Sequence, residues 1–160
     1  MIRTYGVYGN KEYELEVNDG QLELTSHDLN DKQNGFTEYV DVLGNKHNDL
    51  LIKLVKIDEL KLAFEVQLKV KYKGNEYETY SLGMRNLEEN RISLVSMDSD
   101  DVEKYGFEKQ EQFVFKKEVS LDDIEALIEI KKPILTFKEN LESRSVIPGN
   151  LVREYLKRLE

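Results

Sequence analysis

Residues that could hold a metal ion are few and poorly spaced in this chain. The two histidines, His27 and His47, are twenty residues apart, and there is no cysteine. Because a zinc site needs three or four nitrogen, sulfur or oxygen ligands close together, neither histidine predicts one. The Asp-Ser-Asp-Asp stretch at 98–101 begins like a calcium loop, but Glu103 replaces the glycine that such a loop requires and Lys109 replaces its bidentate glutamate. The sequence therefore predicts neither a metal site nor a cofactor.

Catalytic motifs are also missing. The phosphate-binding patterns GxxxxGKS/T and GxGxxG and the hydrolase pattern GxSxG do not occur. Two carboxylates could hydrolyse a glycosidic bond, but with 32 Asp and Glu residues some pair is always available, so their number points to no site. The nine tyrosines could line a sugar or peptide groove, yet tyrosine more often lies half-buried with its hydroxyl at the surface. We therefore expect a protein that is not an enzyme.

The charge of the chain limits the classes of partner that it could bind. The net charge is −9, which argues against nucleic acid as a ligand because phosphate recognition needs a basic surface. Residues 98–130 carry eleven acidic and four basic side chains, whereas residues 131–160 carry seven basic and four acidic ones. An acidic region is by default a solvated surface, but it can also steer a basic protein partner through its electric field.

Length and composition predict one globular domain, residues 1–160, with 39% hydrophobic residues. No apolar run approaches the roughly 18 residues that a membrane-spanning helix needs. Met1 leads directly into strand-like sequence instead of an apolar leader. We therefore expect a soluble, cytoplasmic protein that does not contact a membrane.

The elements that would position any site are predicted to be mainly strands. Apolar and polar residues alternate over Leu62–Tyr72, the turn signal Lys-Gly-Asn follows at 73–75, and Glu76–Leu82 continues as a return strand, which together predict a long hairpin. Further strands are predicted at 3–8, 12–17, 21–26, 51–57, 91–97 and 112–119, with Phe113 and Phe115 on one face of the last. The polar stretches 26–50, 85–90 and 98–110 are predicted to be connections, with one short strand in the first and a helical turn in the last.

Two helices are predicted near the C-terminus. Ser120 followed by Asp123 matches a helix-capping pattern, and the apolar residues of 121–130 fall on one helical face, so we expect a helix there that ends before Pro133. Asn150 is expected to cap a last helix at 151–159, so that the C-terminal helix region spans 150–160.

An internal duplication, residues 2–60 and 62–130, is suggested by five ordered matches. These include Gly-Asn at 9–10 with 74–75, the strands 21–26 with 91–96, Gly-Phe at 35–36 with 106–107, and 55–60 with 119–124. The alternative is that both halves are unrelated β-meanders of similar composition. In either case we expect an α+β fold that is mostly antiparallel, with about eight strands in two meanders forming a curled sheet or a sandwich.

The stretch 72–134 resembles the small acidic immunity proteins of bacterial polymorphic-toxin and contact-dependent inhibition systems. The shared features are Tyr-Lys-Gly-Asn-Glu-Tyr at 72–77, Ile-Ser-Leu at 92–94, Gly-Phe at 106–107, Val-Ser-Leu-Asp-Asp-Ile at 119–124 and Lys-Lys-Pro-Ile at 131–134. The resemblance implies a cytosolic inhibitor that binds one cognate toxin domain, often a basic nuclease, and occludes its active site. It brings no catalytic residues with it.

The partner-binding surface is predicted to be the acidic strip of residues 98–125. Its carboxylates are Asp98, Asp100, Asp101, Glu103, Asp122, Asp123 and Glu125, with Tyr105 and Phe107 as aromatic anchors, since a tight complex needs buried aromatic contacts as well as charge. The alternative function is a non-catalytic β domain that binds a small ligand, a sugar or a peptide, with the loop 26–50 as its lid.

Overall fold

The structure is a computed structural model that describes residues 2–80 and 82–159. Over these residues it contains twelve strands and three short α-helices. The strands are Ile2–Tyr8 (β1), Lys11–Asn18 (β2), Gln21–Ser26 (β3), Thr37–Val40 (β4), Lys46–Val55 (β5), Leu62–Tyr72 (β6), Asn75–Tyr77 (β7), Arg91–Ser96 (β8), Glu108–Glu111 (β9), Val114–Ser120 (β10), Ala126–Pro133 (β11) and Ser143–Pro148 (β12). The α-helices are Met84–Glu89 (α1), Asp100–Tyr105 (α2) and Val152–Arg158 (α3).

Four 3-10 helices connect these elements, at Leu29–Asn34, Ile57–Glu59, Leu135–Phe137 and Gly149–Leu151. The strands form two sheets among the described residues. One follows the order β12-β11-β6-β1-β2-β3-β5-β4 with β7 paired to β6, and the other follows the order β8-β10-β9. The predicted α+β, mostly antiparallel class is confirmed. No helix in the described parts of the chain is long and apolar enough to cross a bilayer.

Contacts along the chain divide it into two compact units. The unit called N-terminal here consists of Arg3–Val66 and Lys131–Glu142, and the unit called C-terminal consists of Gln67–Ile130 with residues 143–159 and residue 2. The sequence predicted one domain with a duplication at 2–60 and 62–130, and the main segments of the two units nearly coincide with those two halves.

The N-terminal unit is built on the predicted meander. β1 pairs with β2 and β2 with β3, and the second turn places Asp19 and Gly20 at positive φ, as a tight hairpin requires. β3 then pairs with β5, and β5 with β4. Leucine and aromatic side chains from these strands close the core, in which Leu24 and Leu51 are fully buried.

The prediction for residues 26–50 was wrong in one respect, because β5 begins at Lys46 and is ten residues long. The polar residues Lys46–Asp49 lie on the exposed part of this strand, so they carry no hydrophobic alternation that would mark a strand. The 3-10 helix Leu29–Asn34 and β4 occupy most of what remains.

The C-terminal unit begins with the central hairpin, but its return strand is short. The turn residues Lys73 and Gly74 both have positive φ, and β7 pairs with β6 over three residues only, from Asn75 to Tyr77. Glu78 then bridges Val95 of β8, and the chain leaves the hairpin. The predicted return strand 76–82 is therefore too long. The predicted connection 85–90 is α1, a helix of six residues with little apolar content.

The predicted helix at 121–130 was wrong, because these residues form a turn followed by β11. The Ser120 hydroxyl accepts the Asp122 N–H at 3.1 Å, and the Ser120 carbonyl accepts the Asp123 N–H at 3.0 Å. This geometry uses the same residues as a helix cap, but a single turn ends it. In β11 the side chains of Leu127, Ile128 and Ile130 are all buried, and such a run on a strand buried on both faces resembles an apolar helical face.

Two smaller differences concern β10 and α3. Phe113 precedes β10, has φ 65° and is 67% exposed, so it does not share a buried strand face with Phe115. Asn150 lies inside a 3-10 helix and not at a cap, and α3 starts at Val152. Val152 and Leu156 are buried in the core of the C-terminal unit, as the predicted apolar stripe requires.

Candidate functional site

In the N-terminal unit, a buried carboxylate accepts a hydrogen bond from the last residue of β3. Asp31, 1% exposed, accepts hydrogen bonds from the hydroxyls of Tyr13 at 2.8 Å and Ser26 at 2.5 Å, and from the amide of Asn34 at 2.8 Å. Asp28 completes the group, because its N–H donates to the Ser26 hydroxyl at 3.1 Å. Tyr13, Ser26, Asp28 and Asp31 are called the N-terminal cluster below.

A lysine neutralises this cluster. The Lys11 ammonium lies 3.3 Å from Asp28 Oδ2 and 3.6 Å from Asp31 Oδ1. The N–H of Asn30 and the Lys11 ammonium hold the pKa of Asp28 below its usual value. Burial opposes ionisation of Asp31, but hydrogen bonds from Ser26, Asn34 and Tyr13 outweigh it, so that the pKa of this carboxyl is also lowered.

The C-terminal unit repeats this arrangement with different residues. Asp101, 8% exposed, accepts hydrogen bonds from the hydroxyls of Tyr77 at 3.1 Å and Ser96 at 2.5 Å. The Asp98 N–H donates to the Ser96 hydroxyl at 3.0 Å. Burial and the bond to Asp101 raise the pKa of Tyr77 to about 12. Tyr77, Ser96, Asp98 and Asp101 are called the C-terminal cluster.

Strand register shows that the two clusters occupy equivalent positions. In β3 and β5, Leu24 pairs with Lys53, and in β8 and β10, Leu94 pairs with Lys117. These two lysines lie over tyrosine rings at nearly the same distance, 5.5 Å for Lys53 over Tyr8 and 5.6 Å for Lys117 over Tyr72. Both serines are the last residue of their strand.

The aromatic support of each cluster is equivalent as well. Gly35 ends the 3-10 helix at φ 88°, and Gly106 ends α2 at φ 74°, so a glycine in the left-handed region redirects the chain in both units. The phenylalanine that follows each glycine packs on the cluster tyrosine, Phe36 on Tyr13 at 4.8 Å and Phe107 on Tyr77 at 5.1 Å between ring centroids.

The two units differ at the residue that follows the first hairpin turn. Lys11 pairs with Tyr8 across one turn, and Asn75 pairs with Tyr72 across the other, so Asn75 stands where the N-terminal unit has its lysine. The Asn75 amide donates to the hydroxyls of Tyr77 at 3.4 Å and Tyr105 at 3.5 Å. Across residues 2–80 and 82–159, no cation forms an ion pair with a carboxylate of the C-terminal cluster.

A groove opens on the C-terminal cluster. β7 and the start of α2 form its walls, and Asp98, Asp100 and Lys104 are among the charged side chains that line it. Met97, also in its lining, is 74% exposed. Asp98 and Asp100, which form no ion pair among the described residues, thus lie beside an exposed methionine side chain.

The structure places the residues of the predicted strip in different surroundings. Asp98, Asp100 and Glu103 are exposed at the groove or on α2. Phe107 was predicted to be an aromatic anchor, but it is 2% exposed and supports the C-terminal cluster. Asp101 is buried in that cluster and also lines the groove. Tyr105 is half-buried and contacts Tyr72 edge to face.

The remaining predicted residues are engaged elsewhere or separate from the groove. Asp122 pairs with Arg153 at 2.7 Å, and Glu125 accepts the Gly74 N–H at 2.9 Å and lies 3.9 Å from Lys71. Asp123 is exposed but, like these two, does not line the groove.

The sequence analysis did not identify Asn75 as the residue that distinguishes the two units. The repeat comparison aligned the Gly-Asn at 9–10 with the Gly-Asn at 74–75, whereas strand register aligns Lys11 with Asn75. Aligning the Glu-Tyr pairs at 12–13 and 76–77 without a gap would have shown the lysine-to-asparagine difference.

A second concave surface lies in the N-terminal unit and is mostly apolar. Its lining includes Val17, Leu22, Leu54, Ile57 and Leu135. Val17 is 44% and Leu54 is 55% exposed.

In the described parts of the chain, no group of three or more Asp, Glu or His side chains is arranged to hold a metal ion.

Fold and site define an α+β protein of two units that repeat one carboxylate cluster, neutralised in one unit and open in the other. Residues 2–137 match the family described as "Uncharacterised conserved protein UCP033725", and the chain belongs to that family. No curated protein and no solved structure matches the chain.

Proposed function

We propose that this protein is an immunity protein that binds and neutralises a basic bacterial toxin domain through the groove of the C-terminal unit. The observation that carries the proposal is the pairing of open negative charge with exposed apolar surface. Asp98 and Asp100 line the groove without an ion pair to any described lysine or arginine, and Met97 lies beside them.

Each part of this surface has a role in association. Exposed carboxylates steer a basic partner during diffusion and raise the association rate at low ionic strength. Methionine is enriched in protein interfaces, where its flexible side chain adapts to the opposing surface and is dehydrated on binding. The net charge of −9 extends the attraction over the whole molecule.

A nuclease is the toxin that suits this surface best. An enzyme that binds nucleic-acid phosphates needs a basic cleft, and an acidic groove is complementary to such a cleft. Occupation of the cleft by the acidic surface would exclude the substrate without any chemistry by the inhibitor, in agreement with the expectation that this protein is not an enzyme and acts in the cytoplasm where the toxin acts.

Co-expression with a toxin tests the function directly. The C-terminal domain encoded by the neighbouring gene should arrest growth when expressed alone, and this protein should restore growth and co-purify with it. Toxicity that persists together with absence of a complex would overturn the proposal, as would a neighbouring gene product that is not toxic.

Charge reversal tests the surface. Asp100→Lys should lower the association rate about tenfold at low ionic strength, with a smaller effect at high salt because charges at the surface are screened. Asp49→Lys makes the same charge change at an exposed position of the N-terminal unit and serves as the matched control. Equal effects of the two substitutions, measured by stopped-flow association, would refute the assignment to the groove.

Binding of a small ligand is a second proposal, favoured by the apolar groove of the N-terminal unit. The loop 26–50, which was expected to be a lid, is largely structured by the 3-10 helix Leu29–Asn34, β4 and β5. A ligand there would be mostly apolar, because Val17, Leu54 and Leu135 offer no hydrogen-bonding side chains, although Gln21, Lys56 and Thr136 also line the groove. Leu54→Asp should abolish binding of an apolar fluorescent probe, and an unchanged signal would exclude this groove.

A further inference from the structure

We infer that the C-terminal cluster receives the ammonium group of a lysine from the protein partner, at the position that Lys11 occupies in the N-terminal cluster. This inference rests on the proposed function and deepens it, because it names the chemistry of one contact. It is independent of which toxin the partner is.

The N-terminal cluster provides the template. Asp28 uses Oδ1 to accept the Asn30 N–H at 2.9 Å and presents Oδ2 to the Lys11 ammonium at 3.3 Å. Asp31 adds a second oxygen to the same ammonium, 3.6 Å away, although this carboxylate is almost completely buried. The fold of this unit therefore places two carboxylates around one cation.

The C-terminal cluster presents the same two oxygens. Asp98 uses Oδ1 to accept the Asp100 N–H at 2.9 Å, as Asp28 does with Asn30, and its Oδ2 has no protein donor within the described residues. Asp101 Oδ1 accepts from Tyr77 and Oδ2 from Ser96. Since each carboxylate oxygen can accept two hydrogen bonds, Oδ1 of Asp101 retains capacity for one more donor.

The difference in donors supports an external cation. Asp31 receives three hydrogen bonds and an ammonium, whereas Asp101 receives two hydrogen bonds. In the N-terminal unit a cation lies between the two carboxylates, which would otherwise repel each other. The N-terminal unit supplies that cation from its own hairpin, and in the C-terminal unit Asn75 leaves the place open toward the groove.

Lysine is the side chain that the template selects. The place holds a single point charge that interacts with one oxygen from each of two carboxylates, and a compact ammonium on a flexible chain suits it better than a planar guanidinium that pairs with both oxygens of one carboxylate. Lys104 also lines the groove, but its ammonium forms no ion pair with either carboxylate.

A probe that does not depend on any toxin tests the cation site. n-Butylammonium chloride is titrated into the isotopically labelled protein while amide resonances are followed by NMR. We expect saturable shifts at Asp98, Asp100 and Asp101 in the natural protein. Asn75→Lys supplies the internal ammonium and should abolish these shifts, and the opposite exchange, Lys11→Asn, should create new ones at Asp28 and Asp31.

Tetramethylammonium chloride at the same concentration is the control for general salt effects, since it has the charge but no hydrogen to donate. The inference is overturned if the two salts give equal shifts, if the natural protein gives no saturable shift, or if Asn75→Lys behaves as the natural protein does. Unchanged thermal stability of Asn75→Lys, or a gain, shows that the loss of shifts is not due to unfolding.

The same variants separate this inference from the proposed function. Asn75→Lys should weaken toxin binding at least tenfold, the loss expected when one buried charge contact of about 1.4 kcal/mol is removed, and Lys11→Asn should leave it unchanged. Toxin binding by Asn75→Lys at natural affinity would overturn the inference and leave the function standing. Absence of any toxin complex with the natural protein would refute the function, and the amine titration would still decide the cation site.

Discussion

The two clusters share a buried carboxylate, a serine at the end of a strand and a tyrosine packed on a phenylalanine. Among the described residues, however, only the N-terminal cluster has a lysine that forms ion pairs with its carboxylates. In the N-terminal unit the Lys11 ammonium neutralises the cluster. In the C-terminal unit Asn75 takes that position and brings no charge. The buried hydrogen bonds therefore belong to the shared framework of the fold, and the difference of one side chain decides which unit carries a surface able to bind a cation.

The comparison also explains why an acidic sequence does not by itself mark a site. Asp28 and Asp122 are acidic and exposed, but each has a cation from the same chain. Surface ion pairs of this kind contribute little to stability, yet they remove the field that would attract a partner. Asp98 and Asp100 keep that field.

The largest expected effect comes from removing the buried carboxylates. Asp31→Ala should lower the free energy of unfolding by about 3 kcal/mol, because it leaves buried hydroxyls without an acceptor and removes the partner of Lys11. Asp101→Ala should cost about 2 kcal/mol, because fewer donors depend on it. Urea unfolding measures both, and Asp49→Ala, at an exposed position, should change stability by less than about 0.5 kcal/mol. A greater loss of unfolding free energy for Asp101→Ala than for Asp31→Ala would contradict this difference between the two clusters.

A smaller effect is expected from the tyrosine hydroxyls. Tyr77→Phe should cost about 1.5 kcal/mol near neutral pH, as expected for a hydrogen bond to a carboxylate. Because the folded state raises the pKa of Tyr77 from 10.0 to about 12, this contribution is present below pH 10 and disappears as the pH rises toward 12. In a spectrophotometric titration, Tyr77→Phe should remove one phenol that ionises late.

Tyr13→Phe provides the parallel test in the other unit, where burial and Asp31 also raise the pKa of the phenol. It should remove a second late-ionising phenol and leave that of Tyr77 in place. If either substitution removes a phenol that ionises at the ordinary tyrosine pKa, the hydrogen bond to its carboxylate is absent in solution.

The smallest stability effect is expected from Lys11→Asn, which makes the N-terminal cluster resemble its counterpart. Hydrogen bonding to Asp28 raises the pKa of Lys11 above 10.5, while the pKa values of Asp28 and Asp31 lie below 3.8. The stabilisation by Lys11 is therefore present between these limits, is lost as the pH falls through the folded pKa values of the two carboxyls, and is lost as it rises through that of Lys11.

Thermal midpoints across pH measure this window for the natural protein and for Lys11→Asn. The two curves of thermal midpoint against pH should differ most between about pH 4 and pH 10, and should converge below and above this range. The range follows from the lowered pKa values of the two carboxyls and the raised pKa of Lys11. Asn75→Ala is the matched substitution in the C-terminal unit, and because asparagine has no charge its effect should not vary with pH. Parallel curves for Lys11→Asn over the whole range would show that no ion pair forms.

Sequence patterns predicted the strands well where one face is buried. β3 has the predicted bounds, and the long alternation of β6 is correctly placed, since period-two burial leaves a clear signal. The pattern failed at β11, where both faces are buried and the alternation disappears. The charged, exposed start of β5 could not be identified either, because its pairing with β4 is made by the backbone.

The candidate site was predicted in part. Charge counts identified the region of Asp98, Asp100 and Glu103, which is indeed exposed. They could not show that Asp101 is buried, because an Asp in an acidic run has the same chemistry whether it faces water or two hydroxyls. The burial follows from long-range contacts with Tyr77 and Ser96, and these become visible only in the folded chain.

The repeat also has a consequence for the order in which the chain folds. β3 and β8 have similar apolar residues at the same register positions, so each offers an incorrect partner to strands of the other half, a known hazard in repeated sequences. A two-residue turn joins β2 to β3, whereas α1 separates β7 from β8. The N-terminal meander is therefore the more local structure and the faster to form. Because it is also synthesised first, we expect its strands to pair with each other before the similar strands emerge from the ribosome.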